Sequence, residues 1–473
     1  MQSQVLNYST AKKDDGTFRL DAEHYQEKYL RNQKKLLDFG AAPLLSMISR
    51  PVITGHTPSM KIDSYYGDDV AFVKTDNLRE FKISGRFSHR LSQKGNEVIK
   101  RSVLQKGDLI MTIIGATYKI VGRSALVRAE DLPANINQNI ALIRLKKTYS
   151  PEFLSAYLNS EIGKLATWYL SRQTEQVNLN CREIEKILVP KVSQEFALTI
   201  EGAYKKAVLF EHKSRSAFLN AESLLLSEIG LIHWQPKHQL SFIKNLSDTE
   251  HAGRIDAEYF QPKYDELLQA IRDNSEYVKR ISEIYTYNAR GLQPEYVPDG
   301  ELDVITSKHI LDHGLDYDGF EKTDLSNWNS QNKARVTRGD ILTYTTGANI
   351  GRTAYYPLDK KALASNHVNI LRIKDENPEY IAFVLNSMVG RLQTERMSAG
   401  SAQAELYPKD IDNFIIPFIA EISQKSILNK IDESFSSRRQ SEHLLESAKR
   451  AVEMAIEQDE QSAIDWLNDQ IEV

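Results

Sequence analysis

Cysteine is almost absent: Cys181 is the sole one in 473 residues. That excludes an internal disulfide and leaves too few thiolates for a cysteine-based zinc site, so a reducing, cytoplasmic compartment is expected. Long apolar runs are also missing, and nothing approaches the roughly 18 residues a spanning helix needs. From Met1 to Asp15 the chain is polar, with Lys12, Lys13, Asp14 and Asp15 where a secretory signal would carry its apolar core. No export signal is expected. With 41% hydrophobic and 26% charged residues, the composition is that of a globular protein of two to four domains, and it excludes collagen and disorder.

Net charge is scarce too, at -4, but it is unevenly spread. Residues 41 to 190 hold 21 Lys/Arg against 14 Asp/Glu, and within them 74 to 128 hold 12 against 4. Residues 419 to 473 hold 6 against 12. A basic stretch balanced by an acidic end can hide a polyanion-binding surface behind a neutral average, although solvated lysines and arginines would give the same count.

The chain repeats itself. Arg19-Leu-Asp-Ala-Glu-His-Tyr-Gln-Glu-Lys-Tyr29 returns 235 residues later as Arg254-Ile-Asp-Ala-Glu-Tyr-Phe-Gln-Pro-Lys-Tyr264, with seven of eleven positions identical. Lys106-Gly-Asp-Leu-Ile-Met-Thr-Ile-Ile-Gly-Ala116 returns at an offset of 232 as Arg338-Gly-Asp-Ile-Leu-Thr-Tyr-Thr-Thr-Gly-Ala348. Pro151-Glu-Phe-Leu-Ser-Ala-Tyr-Leu-Asn-Ser160 returns at 227 as Pro378-Glu-Tyr-Ile-Ala-Phe-Val-Leu-Asn-Ser387, and Gly163 matches Gly390. Three matches in one order make a tandem duplication. Two copies are too few for a solenoid, so each half should own a core. Residues 50 to 100 match 285 to 335 poorly, as do 129 to 139 and 361 to 367, so the copies share a scaffold and differ in loops.

Short runs of Val, Ile, Leu and Phe bounded by turn residues predict strands at 70–73, 108–114, 120–127 and 140–145, and again at 302–306, 340–346, 352–356 and 368–373. Pro151 and Pro378 sit where proline opens a helix. Each copy then runs into a long segment with alternating four-three spacing. The first reads Phe196, Ile200, Ala203, Ala207, Phe210, Ser214, Ala217, Ala221, Leu224, Glu228, eight of ten apolar. The second reads Ile427, Ile431, Ser434, Arg438, Ser441, Leu445, Ala448, Val452, Ala455, six of nine apolar. Such stripes want a partner, and the simplest is each other, antiparallel; the other reading is that each helix caps its own domain.

Signatures of catalysis are lacking. There is no Walker-type glycine loop, no His pair at metal-ligand spacing, no Gly-x-Ser-x-Gly and no glycine-rich turn for S-adenosylmethionine. Asn377-Pro-Glu-Tyr380 is superficially similar to the Asn-Pro-Pro-Tyr of amino-methyltransferases, but it opens a helix whose counterpart begins at Tyr149-Ser-Pro-Glu152. What packing leaves unexplained is polar and basic and lies in the divergent loops. In copy one these are Lys74, Arg79, Lys82, Arg86, His89, Arg90, Thr117, Tyr118, Lys119, Arg123, Asn137 and Gln138. In copy two they are Arg290, Lys308, His309, Arg335, Arg338, Thr345, Asn349, Arg352, Asn366 and His367. These donor types bind phosphates and read base edges, and only as a cluster do they point to DNA.

A doubled domain with Gly-Asp-Leu-Ile-Met-Thr-Ile-Ile-Gly from Gly107, Asn-Gln-Asn-Ile-Ala-Leu-Ile from Asn137 and Ile184-x-x-Ile-x-x-Pro190 before a long helix resembles the specificity subunit of Type I restriction-modification enzymes. Copy two offers Gly339 to Gly347 and Ile411-x-x-Phe-x-x-Pro417, and Gln194 and Gln424 stand near the two helix starts. The resemblance implies an α+β fold of two tandem β-rich target recognition domains, each followed by a long helix. The helices would pair as an antiparallel coiled coil with pseudo-twofold symmetry. The segments expected are 1–190 and 250–418 for the recognition domains, 191–235 and 419–460 for the spacer helices, and 461–473 for an acidic tail. It further implies that each recognition domain reads half of a split duplex DNA site, that the helices dock two methyltransferase subunits, and that restriction and motor subunits join them. No cofactor is expected on this chain; S-adenosylmethionine, ATP and Mg would belong to the partner subunits. Copy two departs from the pattern in charge, with 15 basic against 19 acidic groups over 280 to 418. Its DNA face would be a local patch such as Lys333 to Arg352.

Two alternatives stay open. The chain could serve a related two-subunit restriction-modification system, or be a coiled-coil adapter whose β domains bind proteins. Charge reversal of Arg86, Arg90 and Lys119 should spare partner assembly in the first case and alter it in the second. A nuclease centre would need Asp, Glu and Lys grouped by the fold alone.

Overall fold

The computed structural model describes residues 22–84, 87–117, 120–173, 176–311, 314–317, 319–347, 349–398 and 404–472. The repeated Gly-Asp pair closes the same turn in both copies. Gly107 and Gly339 take φ of 90° and 94°, a left-handed conformation that glycine adopts without a Cβ clash. Asp108 accepts the backbone N–H of Gln105 at 2.7 Å, and Asp340 accepts that of Thr337 at 2.8 Å. Each carboxylate is then gripped by two nitrogens of one arginine: Arg144 at 2.6 and 2.7 Å on Asp108, and Arg372 at 2.8 and 2.8 Å on Asp340. Paired charge-assisted bonds of this kind are the strong form of the interaction, and they satisfy two buried carboxylates.

In copy one the strands of the two main sheets are β1 (Ile53–Thr54), β2 (Tyr66–Val73), β3 (Arg90–Leu91), β4 (Leu109–Thr112), β5 (Ser124–Leu126), β6 (Ala134–Ile136) and β7 (Ile140–Ile143). They build two sheets, in the orders β1-β7-β4-β5 and β3-β2-β6. Copy two has β8 (Tyr285–Arg290), β9 (Leu302–Ile305), β10 (Glu321–Thr323), β11 (Arg335–Val336), β12 (Ile341–Tyr344), β13 (Thr353–Tyr355), β14 (Ala362–Ala364) and β15 (Val368–Ile373). Its sheets run β8-β15-β12-β13 and β10-β9-β14-β11. The first order occurs twice, and the second recurs in copy two with β11 added at its edge. In each copy one pair is parallel, β2 with β6 and β9 with β14, among antiparallel neighbours. The fold is α+β, as the resemblance implies.

Each sheet set is followed by two helices, α1 (Pro151–Asn159) and α2 (Glu161–Leu170) in copy one. The long helix α3 (Gln194–Glu228) ends that copy. Copy two repeats the pattern as α4 (Pro378–Asn386), α5 (Met388–Ser398) and the long α6 (Glu421–Glu457), and α7 (Glu460–Glu472) follows. Ser150 and Asn377 cap α1 and α4 by accepting backbone N–H groups of the first turn, the role these side chains fill best. The matched Gly163 and Gly390 are needed for close approach: a Cβ there would lie 1.8 Å from the Tyr157 carbonyl and 2.0 Å from that of Leu385.

The chain divides into two compact units, residues 1–211 with 439–473, and residues 212–438. In the first, Phe196, Ile200 and Ala203 of α3 pack in one core with Ala448, Val452 and Ala455 of α6 and with Ala463 and Leu467 of α7. In the second, Ala221, Leu225 and Ile229 of α3 share a core with Ile427 and Ile431 of α6. There Ser214 meets Ser434 and Glu228 accepts from Ser423 at 2.7 Å. Within that second unit numbers rise along α3 as they fall along α6.

Three expectations need correction. The strict heptad reading puts Leu224 and Glu228 on the buried stripe, whereas Leu225 and Ile229 are the buried residues. An α-helix of 3.6 residues per turn drifts away from a 3.5-residue repeat, and here the drift reaches a whole residue. On α6 Ser437 and Leu444 are buried where the repeat names Arg438 and Leu445, while Ser434, Ser441, Ala448, Val452 and Ala455 stay on it. The acidic segment 461–473 is not a tail, because Ala463, Ile464 and Leu467 of α7 are buried.

Candidate nucleic-acid interface

Copy one gathers its cations where β2 ends. After Val73 the chain turns, and the Asn77 side chain closes the turn by accepting the Lys74 N–H at 3.0 Å. The Lys74 ammonium then lies 2.8 Å from His89 Nδ1 and 3.3 Å from the Ser88 hydroxyl, above the Phe72 ring. Arg90, the first residue of β3, donates Nε–H to the Asp68 carbonyl at 3.1 Å and lies over Phe87. Arg79 donates to the carbonyls of Asp76 at 2.9 Å and Leu78 at 3.1 Å. Among the described residues, Lys74, Arg79, Lys82 and Arg90 form no ion pair with a carboxylate side chain. Arg123 is half-buried, and burial first, then repulsion from Arg79, lowers its pKa, with Glu80 opposing.

Arg79 rides on a tight hairpin in which Leu78 bridges Ile83. Phe81 in that hairpin has φ 65° and is buried. For a bulky residue such a backbone is costly, on the order of 1–3 kcal/mol, and persists only where its surroundings hold it. The holders are the Ser124 carbonyl, which accepts the Phe81 N–H at 2.9 Å, and the Tyr204 hydroxyl of α3, 3.5 Å from the Phe81 carbonyl. Next to it Glu80 takes Lys164 of α2 at 2.6 Å and Lys449 of α6 at 3.3 Å.

Not every candidate is available. Asn137 is buried and turns its carbonyl oxygen to the Asn139 N–H at 3.1 Å. Gln138 is exposed and accepts from Thr57 at 2.5 Å, and Thr117 is exposed. Arg86, Tyr118 and Lys119 lie outside the described residues.

Copy two ties two of its candidate cations to carboxylates. Arg290 bonds Glu405 at 3.3 Å and the Leu406 carbonyl at 2.8 Å and stacks on Tyr407. Lys308 pairs with Glu321. His309 is buried, accepts the Thr306 N–H on Nδ1 at 2.9 Å and reaches the Gly319 carbonyl through Nε2 at 3.1 Å. Burial, then Lys308, lowers its pKa to about 4. It is the counterpart of Asn77, a turn-closing group. Thr345 is buried; its backbone N–H donates to the His367 carbonyl at 3.0 Å and its carbonyl accepts from Leu406 at 2.9 Å. The structure thus brings Arg290, Thr345 and His367 together with Glu405–Tyr407, while Asn366, His367 and Arg338 are exposed. Asn349 and Arg352 are half-buried in the turn after β12, where the Arg352 N–H meets the Asn349 carbonyl at 3.2 Å.

Arg335 lies elsewhere, at the edge strand β11. Its Nε donates to the Trp328 carbonyl at 2.6 Å, and its guanidinium lies 4.9 Å from the Trp328 ring centre. Lys361, just before β14, approaches the same ring at 5.1 Å. Neither Lys361 nor Trp328 stood out in the sequence; a tryptophan between two basic segments was the available signal.

Among the described residues no three His, Cys, Asp or Glu side chains gather as a metal site, and no helix is long and apolar enough to cross a membrane. A cleft of about 830 Å³ in the first unit, walled by Tyr149–Leu154 and Val189–Gln194, contains none of the candidates.

Residues 274–445 match a family model described as the Type I restriction modification DNA specificity domain, and over that span the resemblance drawn from the motifs is borne out. That family is the non-catalytic, DNA-recognising component of its enzymes. The chain is 25% identical over 167 residues to the Type I restriction enzyme EcoBI specificity subunit of Escherichia coli, an alignment covering 34% of each. It thus spans about a third of that curated relative. Among solved structures it is similar to a Type-I restriction-modification system S subunit from M. genitalium, with 12% identity, a TM-score of 0.37 and coverage of 91% of this chain and 95% of that one. The HsdS subunit from Thermoanaerobacter tengcongensis matches with 15% identity, a TM-score of 0.29 and coverage of 89% and 96%.

Proposed function

We propose that this chain, which carries a Type I restriction modification DNA specificity domain at residues 274–445, is a DNA-specificity subunit with no catalytic centre of its own. Each copy would read one half of a bipartite duplex site through the loops that follow its strands. The doubled strand order carries this reading: one four-stranded sheet recurs in the same sequence of neighbours and a second recurs with one strand added, while the polar groups at their loop ends differ. A repeated scaffold with different side chains at one end suits two related but unequal half-sites. In the reading, α3 and α6 pair along their length as an antiparallel coiled coil with pseudo-twofold symmetry. That symmetry would present similar surfaces to two methyltransferase subunits, which restriction and motor subunits would join. S-adenosylmethionine, ATP and Mg would be held by those partners, in the cytoplasm.

The second copy's ties of Arg290 to Glu405 and Lys308 to Glu321 favour one competing reading, a protein-binding adapter. Co-expression with the methyltransferase encoded beside this chain, followed by mapping of methylated adenines in host DNA, separates the two. The expected result is a split motif with a fixed gap that vanishes when the chain is omitted. A stable complex that confers no motif would favour the adapter.

A further inference from the structure

Glu80 is ringed by cations of different kinds. Lys164 reaches it from α2 at 2.6 Å and Lys449 from α6 at 3.3 Å. Lys449 is only 14% exposed, so its contact is shielded from water in a way most lysine pairs are not. On its other side Glu80 adjoins Arg79 and lies close enough to Arg123 to offset part of that residue's repulsion from Arg79. The next residue, Phe81, is the buried, left-handed anchor held by Ser124 and by Tyr204 of α3. Glu80 and Phe81 therefore join one small hairpin to β5, α2, α3 and α6, all within the first unit.

We infer that Glu80 is a positioning residue for DNA reading by copy one: it holds the Arg79 hairpin on the two long helices and so fixes where the Arg79 guanidinium meets a base edge of the half-site. The inference rests on the DNA reading above and adds to it a named residue and a named contact. Its logic is geometric. A guanidinium selects a register on DNA only when its backbone is fixed, and the hairpin of six residues has too few bonds of its own to fix it. The carboxylate supplies the missing anchor from outside the hairpin.

The test is adenine-methylation mapping with the full chain and its methyltransferase partner, comparing Glu80→Gln and Lys449→Gln with the unaltered chain. Both variants should relax base preference in one half of the split motif by roughly tenfold, about the worth of one lost base contact, and leave the other half as before. Glu80→Asp should restore part of it. Methylation that declines at every site with the motif intact is what a purely structural role would produce, and it would overturn the inference. So would a Glu80→Gln chain that reads both halves as the unaltered chain does. Should Glu80→Gln not accumulate, Lys449→Gln decides alone, since Lys449 also has Glu446 at 2.6 Å to retain it. An unaltered chain that confers no motif would instead defeat the DNA reading, and this inference with it.

Discussion

The two copies close the same turn with different atoms. After β2 an asparagine oxygen, on Asn77, accepts the backbone N–H of Lys74; after β9 an imidazole nitrogen, on His309, accepts that of Thr306. Around that shared turn the cations differ more. Lys74 and Arg79 lean on hydroxyl, imidazole and carbonyl groups, whereas Arg290 and Lys308 are tied to carboxylates. Duplication has kept whatever satisfies buried backbone and let the charged surface go separate ways. The Gly-Asp turn with its arginine is the extreme of the first kind, nearly superposable in its bonds. The loop cations are the extreme of the second.

The comparison breaks first if the shared parts are not equal in worth. Asp108→Ala and Asp340→Ala should each destabilise their own unit by about 3–5 kcal/mol, because each strands an arginine and uncaps a turn. Denaturant unfolding followed by hydrogen exchange would show whether both units suffer alike. Next comes the exchanged turn-closer. The unfolded histidine takes a proton as pH falls below 6.5, while folded His309 resists until about 4. Stability tied to His309 is thus complete above pH 6.5 and drains away between 6.5 and 4, up to about 3 kcal/mol. His309→Asn, which copies the first unit's solution, should flatten that window and leave neutral stability within about 1 kcal/mol. A variant with the same acid sensitivity would mean the histidine is not what titrates.

The smallest effect sharpens the contrast between the loops. Lys74→Gln should weaken duplex binding by about 1 kcal/mol and lower the slope of log affinity against log salt by about one. Arg290→Gln should leave that slope alone and cost stability instead, since it removes bonds to Glu405 and the Leu406 carbonyl. Titration of both variants at several salt concentrations distinguishes them. A slope that falls in both would place Arg290 on DNA as well.

Much of this was written in the sequence because identical residues meet identical needs. Gly107 and Gly339, Gly163 and Gly390, and the prolines opening α1 and α4 fall where backbone geometry admits little else, so the duplication and its strands could be read directly. His309 could not be recognised as the twin of Asn77, since two unlike side chains fill one hydrogen-bonding role. Nor could Arg290 be withdrawn from the candidates, because Glu405 approaches it only through the fold. The slip from Leu224 to Leu225 has another origin: periodicity locates a helix face only while helical twist and assumed repeat stay in phase. Glu80 carried no signal at all, its importance being made entirely by Lys164 and Lys449.

The first unit is built from two stretches of chain separated by the whole of the second. Its core takes Ala448, Val452, Ala463 and Leu467 from residues 439–473, so a ribosome delivers copy one's sheets long before the side chains that complete their packing. The second unit, continuous from 212 to 438, is finished earlier although it begins later. Order of synthesis and order of completion are therefore reversed, and a message truncated after residue 438 would leave copy one, not copy two, with an open core.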